Sequence, residues 1–230
     1  DWYRPQYYYD SGDWRATWSG EGGGVLLNQC PHNLDLWQWI CGMPTLLDVH
    51  MHMGKWHDIE VEDDVTAYCE YKNGATGTFV TSTGDYPGTN RFEIVLDGGT
   101  LVCDKKSLTL ARLDKPIDVY SAKNRTAVFG HPTSTLSNVE TDGQNPQHSG
   151  VLNAFAGAIL RGEPLVADGR EGINGLLISN AMHLSAWTGK AVTLPFDEQL
   201  FYDELMKRVA TSRRKSGAAA GGAADTEGSC

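Results

Sequence analysis

The spacing of apolar residues changes along the chain, and this change restricts the fold more than any other feature of the sequence. Residues 25–41 place apolar side chains at helical spacing, whereas residues 45–129 alternate apolar and polar side chains. Helical spacing returns at 151–162 and 170–189. A period of two is typical of strands with one buried face, and a period of 3.6 is typical of amphipathic helices. We therefore expect an α+β fold in which a mainly antiparallel, open-faced β-sheet has helices on one face.

The sequence predicts one domain over residues 1–215, which opens with an irregular aromatic segment at 1–24. Residues 216–230 are small and nearly uncharged, so they predict a flexible tail. Pro31 lies inside the first helical pattern, where it removes a backbone donor, and we expect the helix to kink or divide there. Because the chain starts at Asp1 rather than at methionine, we expect either a fragment of a longer protein or a naturally separate domain.

Charge and cysteine content exclude some classes of function. The formal net charge of -10 argues against nucleic acid as a partner, since its binders need a basic surface to neutralise phosphates. No apolar run is long enough to span a bilayer, and the first residues do not resemble a signal peptide. The scattered, odd-numbered cysteines favour free, buried thiols over a disulfide framework. We expect a cytoplasmic protein that does not bind membranes.

Three polar residues interrupt the apolar pattern of residues 25–41. Asn28, His32 and Asp35 are spaced four and three apart, which places them along one face of a helix. A histidine beside a substrate cleft can remove a hydroxyl proton, because its ordinary pKa lies near neutral pH. Asn28 can then orient a sugar hydroxyl or the imidazole. The spacing alone is equally consistent with a histidine that only satisfies local hydrogen bonds.

Other polar residues have both a functional and a structural interpretation. Trp14 and Arg15 can stack on a sugar ring and bind its hydroxyls, or they can pack on a neighbouring domain. Tyr9 and Asp10 carry the same alternatives. Three histidines raise the question of a metal, but no further ligands have suitable spacing, and we favour an exposed sheet face for His50, His52 and His57. We interpret four acidic residues as the solvated start of a strand: Glu60, Glu62, Asp63 and Asp64.

Several blocks, in order, resemble the glucose-fructose oxidoreductase and inositol dehydrogenase family, often written Gfo/Idh/MocA. The second domain of that family opens with a helix that reads GG-x-L-x-D-x-G-x-H-x-x-D. The matching positions here are Gly23, Gly24, Leu26, Asn28, Cys30, His32 and Asp35. Asn28 departs from the usual aspartate, and an amide can form hydrogen bonds but cannot accept the proton. The resemblance continues through VEDDVTAYCEYKNGATGTF and NRFEIVLDGGTLVCD, and it reaches the helical blocks that start at His148.

The resemblance implies a sugar or polyol oxidoreductase whose catalytic histidine is His32, with His148 reaching the substrate cleft unless it only starts a helix. NAD or NADP would be bound mainly by an N-terminal nucleotide-binding domain or chain. No such domain is present here, because the glycines at 20–24 follow an aromatic loop rather than an apolar strand. This chain alone is then expected to be inactive. The alternatives are an NAD-using glycosidase of the same fold and a non-catalytic sugar-binding or oligomerisation module. The open sheet face predicts a homo-oligomer.

Overall fold

The chain forms two compact units within residues 1–215, the span for which the sequence predicts one domain. The computed structural model describes residues 1–105 and 107–213. The first unit contains residues 1–88 and the described chain from 167 onward, and the second contains residues 89–166. The second unit is thus inserted between two parts of the first. The predicted tail over 216–230 lies outside the described residues.

The first unit contains most of the helices and one four-stranded sheet. Its elements are α1 (Gln6–Asp10), α2 (Pro31–Cys41), β1 (Leu46–Met53), β2 (Glu62–Glu70), β3 (Thr76–Ser82), a 3-10 turn (Gly169–Glu171), α5 (Gly172–Thr188), β8 (Val192–Thr193) and α6 (Glu198–Ala210). The strands run in the order β3-β2-β1-β8, and every neighbouring pair is antiparallel. The α+β class and the antiparallel pairing are confirmed.

The sheet of the first unit has one buried and one exposed face. Along β2, Val65 and Ala67 are buried while Thr66 and Tyr68 are exposed, as the alternation of the sequence predicts. Helix α5 covers the buried face by packing against β1, and α2 packs against α5. The buried hydroxyl of Ser185 in α5 accepts a hydrogen bond of 3.1 Å from the backbone N–H of Val49.

Helix α2 begins at Pro31, so the expected break in the helical pattern falls at the first helical position. Proline is tolerated there because the N–H of that position has no partner inside the helix. Residues 24–30 form hydrogen-bonded turns instead of a helix, as in the 3.0 Å bond from the Asn28 N–H to the Gly24 carbonyl. At the other end, Gly42 has a φ of 79° and closes the helix as its sequence position predicts.

The second unit contains a separate four-stranded antiparallel sheet. Its elements are β4 (Arg91–Leu96), β5 (Gly99–Asp104), β6 (Ser107–Leu113), α3 (Ile117–Lys123), β7 (Ser134–Asn138) and α4 (Gln147–Arg161). The strands run in the order β4-β5-β6-β7. The pattern over residues 45–129 therefore belongs to two sheets, and the chain leaves the first unit after Gly88.

The acidic run is not the solvated strand start that the sequence suggested, because two of its carboxylates are completely buried. Glu62 and Asp63 have no exposed surface. The Glu62 Oε1 atom accepts hydrogen bonds of 2.8 and 3.0 Å from the backbone N–H groups of Gly24 and Leu26. Its Oε2 atom lies 3.1 Å from His183 Nε2, within ion-pair distance although outside hydrogen-bond geometry. At this distance the His183 ring offsets the cost of the buried carboxylate.

Both ring nitrogens of His183 face acceptors. The Nδ1 atom lies 2.8 Å from the Ser179 carbonyl oxygen, and Nε2 faces Glu62. Burial by itself raises the pKa of Glu62, but the charge of His183 and the hydrogen bonds to the carboxylate outweigh it and lower that pKa below its ordinary value. This ion pair therefore connects the turn before α2, strand β2 and helix α5.

Asp63 organises a second segment of backbone. Its carboxylate accepts hydrogen bonds from the backbone N–H groups of Lys55, Trp56 and His57, at 2.9, 2.9 and 3.1 Å. The His57 ring lies 3.0 Å from the same carboxylate and 2.8 Å from the Arg4 carbonyl oxygen. His57 thus has a structural role and its side chain is only 6% exposed, which corrects its expected place on an exposed sheet face. His50 and His52 are exposed on β1, as expected.

None of the helices in residues 1–105 and 107–213 is both long enough and apolar enough to cross a membrane.

We predict that Glu62→Gln lowers the free energy of unfolding by about 3–5 kcal/mol, because it leaves His183 buried without a carboxylate. Urea denaturation at pH 7 measures this loss. Glu140→Gln, at an exposed position, is the control and changes the free energy by less than about 0.5 kcal/mol. Equal stability of the two variants contradicts the prediction.

The Glu62–His183 pair also predicts how the free energy of unfolding changes at low pH. Because the pKa of Glu62 in the folded state lies below its ordinary value of 4.5, its contribution is complete above that value and is lost as the pH falls through the folded-state pKa. We expect the free energy of unfolding of the wild type to decrease below pH 4.5 more steeply than that of Glu62→Gln. Parallel curves from chemical denaturation at pH 3 to 6 would show that this carboxylate does not titrate on unfolding.

Candidate functional site

His32 lies at an open cavity between helices α2 and α5. The cavity has a volume of about 360 Å³, and the turn before α2 supplies Leu26 and Leu27 to its lining. Pro31 places His32 in the first turn of α2, where the side chain is exposed, and Asp35 follows one turn later on the same wall. The lining of the cavity is polar on the α2 side and mostly apolar elsewhere, which is the usual composition of a site for a small molecule.

Asp35 is connected across the two helices by amide side chains. Its Oδ1 atom accepts a hydrogen bond of 3.0 Å from Gln38, whose own oxygen accepts one of 3.2 Å from Asn174 in α5. Gln38 is buried and Asn174 is half-buried. The carboxylate at the cavity therefore has a fixed orientation, which keeps an acceptor beside His32 on the α2 wall.

Asn28 does not share a helix face with His32, contrary to the expectation from its spacing. It lies in the turn before α2, and its side chain joins a different group of residues. The Asn28 amide N–H donates to Glu21, and the Asn28 oxygen accepts a hydrogen bond of 3.1 Å from the Tyr8 hydroxyl. The second Glu21 oxygen accepts from the backbone N–H of Ala16 at 2.6 Å.

Trp14 and Arg15 belong to the group around Tyr8. The Arg15 guanidinium lies 4.5 Å from the centroid of the Tyr8 ring and 4.4 Å from that of Trp14. Its Nη1 atom donates a hydrogen bond of 2.9 Å to the Tyr8 hydroxyl, and the Gln29 amide donates another of 3.3 Å. Trp14 keeps 46% of its surface exposed. We call Tyr8, Trp14, Arg15, Glu21 and Asn28 the Tyr8 cluster.

The other predicted substrate residues lie outside the Tyr8 cluster and the cavity. Tyr9 is buried in the core, where its hydroxyl donates a hydrogen bond of 2.8 Å to Thr83 and burial raises its pKa to about 12. A substrate cannot reach it there, which corrects its assignment. Asp10 is exposed at the end of α1, where it accepts from Gln6 at 3.1 Å. His148 is exposed near the start of α4, in the second unit.

Sequence reasoning missed Tyr8 and Glu21, the two residues that organise the cluster. Tyr8 lies in a run of three tyrosines, and no periodicity separates it from its neighbours. Glu21 lies among the glycines at 20–24 and is seven positions from Asn28, a spacing that no regular element predicts. The one available signal was a carboxylate near an asparagine in a polar, aromatic-rich segment.

The glycines at 20–24 serve close packing and leave no cradle for the phosphates of a dinucleotide. A Cβ atom on Gly24 would lie 2.0 Å from the Glu62 carbonyl oxygen, and one on Gly20 would lie 2.5 Å from the Trp14 carbonyl oxygen. The backbone N–H groups of Gly24, Val25 and Leu26 all donate to Glu62. Since a phosphate loop needs free N–H groups, these residues do not fit NAD or NADP.

Metal and thiol chemistry find little support in this structure. Within residues 1–105 and 107–213, no three His, Cys, Asp or Glu side chains are grouped so that they could hold a metal ion. Cys30 and Cys69 are buried free thiols, as expected, but Cys41 and Cys103 are exposed. Burial raises the pKa of Cys30, which keeps that thiol protonated. Cys230 lies outside the described residues.

The first part of the chain matches a known domain family. Residues 1–102 match the family model described as the GFO/IDH/MocA C-terminal domain. No curated protein sequence matches the chain. The resemblance of the sequence to this C-terminal domain is thereby confirmed.

Solved structures share the fold. The WlbA dehydrogenase of Bordetella pertussis, in complex with NADH and UDP-GlcNAcA, is 24% identical with a TM-score of 0.58, over 85% of this chain and 52% of that chain. The WlbA dehydrogenase of Chromobacterium violaceum, with the same two ligands, is 27% identical with a TM-score of 0.57, over 85% and 53%. A levoglucosan dehydrogenase in complex with NADH is 18% identical with a TM-score of 0.66, over 85% and 57%. This chain spans about half the length of these structures.

We predict that Gly24→Ala destabilises the first unit by more than about 3 kcal/mol, because the added methyl group meets backbone that cannot move away. Thermal unfolding followed by circular dichroism measures the effect. Gly169→Ala is the matched control, since its Cβ would meet no atom within 4 Å. A melting temperature for Gly24→Ala equal to that of the control would contradict the close packing.

Proposed function

We propose that this chain is the substrate-binding half of an NAD(P)-dependent sugar or polyol oxidoreductase of the GFO/IDH/MocA type. The observation that carries the proposal is the exposed His32, held at the cavity between α2 and α5 in a chain that matches the C-terminal domain of this family. A sugar hydroxyl is a weak acid, and its oxidation requires a base that takes the hydroxyl proton.

In this proposal the residues of the chain hold the sugar and move one proton. A ring nitrogen of His32 accepts the hydroxyl proton during oxidation and returns it during reduction. Asp35 provides an oriented acceptor on the same wall. Trp14 and Arg15 offer an aromatic face and hydrogen-bond donors. Asn28 acts through Tyr8, to which it is hydrogen bonded.

We propose that the cofactor is bound mainly by a nucleotide-binding domain outside this chain. The similar dehydrogenases were solved with NADH, and this chain spans only about half of their length. A nicotinamide supplied by that domain would take the hydride of the oxidised carbon. The N–H groups of Gly20, Gly22 and Gly24 already donate within the chain, which supports an inactive chain in isolation. The free thiols favour the cytoplasm as its compartment.

A non-catalytic sugar-binding module is the second candidate. It is favoured by one observation, that the hydrogen bonds of Asn28 lead to Tyr8 and Glu21 instead of to His32. The sequence directly upstream in the gene distinguishes the two functions. A strand followed by G-x-G-x-x-G and a Glu-Lys-Pro motif supports the oxidoreductase, whereas an unrelated sequence supports the module. Release of the aglycone from an aryl glycoside without net NADH would instead indicate an NAD-using glycosidase.

We further propose that the exposed face of the first sheet mediates homo-oligomerisation. Val80 on β3 is 63% exposed, and its register neighbours Thr66 and His50 continue the same face. Val80→Lys is expected to halve the mass measured by light scattering or to weaken the oligomer at least tenfold. Val95→Lys, at a 68% exposed strand position in the second unit, is the matched control. A wild-type monomer contradicts this proposal.

We predict that His32→Gln in the complete enzyme lowers sugar-dependent formation of NAD(P)H by about 10²-fold or more, because the amide cannot accept the proton. The KM for the sugar should change much less than kcat. His131→Gln, at an exposed loop position of the second unit, is the control and should retain turnover. Wild-type kcat in His32→Gln would remove His32 from the mechanism.

A further inference from the structure

We propose that Arg15 is the receptor for an anionic group of the substrate, so that the substrate class is an acidic sugar that carries a carboxylate or a phosphate. This proposal rests on the proposed function and deepens it. Nothing in the match to the domain family assigns a charge to the substrate. The inference comes from the way the Tyr8 cluster holds one cation.

The cluster fixes the guanidinium in place. Arg15 lies between two aromatic rings, at 4.5 Å from the Tyr8 centroid and 4.4 Å from the Trp14 centroid, and it donates one hydrogen bond to the Tyr8 hydroxyl. Contacts of this kind restrict the rotation of a side chain that is otherwise long and mobile. A preorganised guanidinium loses less conformational entropy when a ligand binds it.

Glu21 determines how the Asn28 amide and the Tyr8 hydroxyl are oriented. A carboxylate only accepts, so the Asn28 amide must present its N–H to Glu21 and its oxygen to Tyr8. The Tyr8 hydroxyl then uses its single hydrogen for Asn28 and can only accept from Arg15. Glu21 is therefore a positioning residue that acts on Arg15 through two intermediates.

Arg15 has no internal counter-ion in the part of the chain that the structure describes. The nearest carboxylate in its network, Glu21, receives hydrogen bonds at both oxygens, from Asn28 and from the Ala16 N–H. Another stacked arginine of the same chain differs in this respect. Arg208 lies 4.0 Å from the Trp187 centroid, and its Nη1 atom pairs with Glu204 at 3.0 Å. Glu204 compensates the charge of Arg208 within the same helix. The charge of Arg15 is not compensated in this way and is available to a ligand.

The chemistry of this arrangement selects an anion on a sugar. A guanidinium offers parallel N–H donors that match two oxygens of a carboxylate or a phosphate. Trp14, 46% exposed beside it, offers an aromatic face to a sugar ring. A chain with a net charge of -10 repels anions at long range, so their binding needs a localised cation such as Arg15.

The test compares three sugars on the 230-residue chain: glucose, glucuronate and glucose 6-phosphate. Dissociation constants come from ligand-observed NMR in 50 mM salt. We expect at least one acidic sugar to bind about tenfold or more tightly than glucose, and the preference to shrink with added salt. A gain for glucuronate alone identifies a carboxylate, and a gain for glucose 6-phosphate alone identifies a phosphate.

Two variants locate the effect at the guanidinium. Arg15→Gln should reduce the ratio between the affinities for the acidic sugar and for glucose to less than about threefold. Arg15→Lys keeps the charge without the paired donors and should give an intermediate preference. Arg170→Gln, where the side chain is 92% exposed, removes the same charge elsewhere and should keep the full preference. Circular dichroism confirms that each variant is folded.

The outcomes separate this inference from the function on which it rests. Equal binding of glucose and both acids by the wild type overturns the anion site and leaves the sugar-binding function intact. An undiminished preference in folded Arg15→Gln also overturns it. Failure of all three sugars to bind overturns both proposals.

Discussion

The buried carboxylate of Glu62 is the interaction on which the rest of the first unit depends. A charge without solvent contact is costly unless every oxygen is compensated. Here one oxygen accepts from the turn before α2, and the other faces His183 on α5. The same turn supplies Leu26 and Leu27 to the cavity, and α2 follows it directly. The turn that precedes His32 is thus held by an ion pair that lies in the core.

A second carboxylate, that of Glu21, determines the orientation of side chains rather than the position of an element. Glu21 receives the amide of Asn28, which turns the amide oxygen toward Tyr8 and so orients Arg15. The asparagine is well suited to this place. An aspartate would bring a second carboxylate against Glu21, and the repulsion would force one of the two to stay protonated. The departure from the family pattern at Asn28 therefore accompanies the carboxylate that the fold places beside it.

The sequence predicted the parts of the fold that depend on periodicity and failed where burial of charge decides. Alternation identified the strands around Val65 and Ala67, and Pro31, expected to kink or divide the helical pattern, stands at the start of α2. The acidic run was misjudged because Glu62 and Asp63 look like any polar strand start until their partners His183 and His57 are placed. The division into two units was missed for a related reason, since both sheets alternate with the same period.

The candidate site was predicted only in part, because its members lie in irregular chain. His32 was predicted through its motif, and Trp14 with Arg15 through their chemistry, and their roles stay predictions. The structure separates Asn28 from His32, however, because the helix starts at Pro31 and the turn before it faces the Tyr8 cluster. Under the proposed function, Asn28 therefore governs how the substrate is held, while His32 is exposed on the wall of the cavity that also carries Asp35.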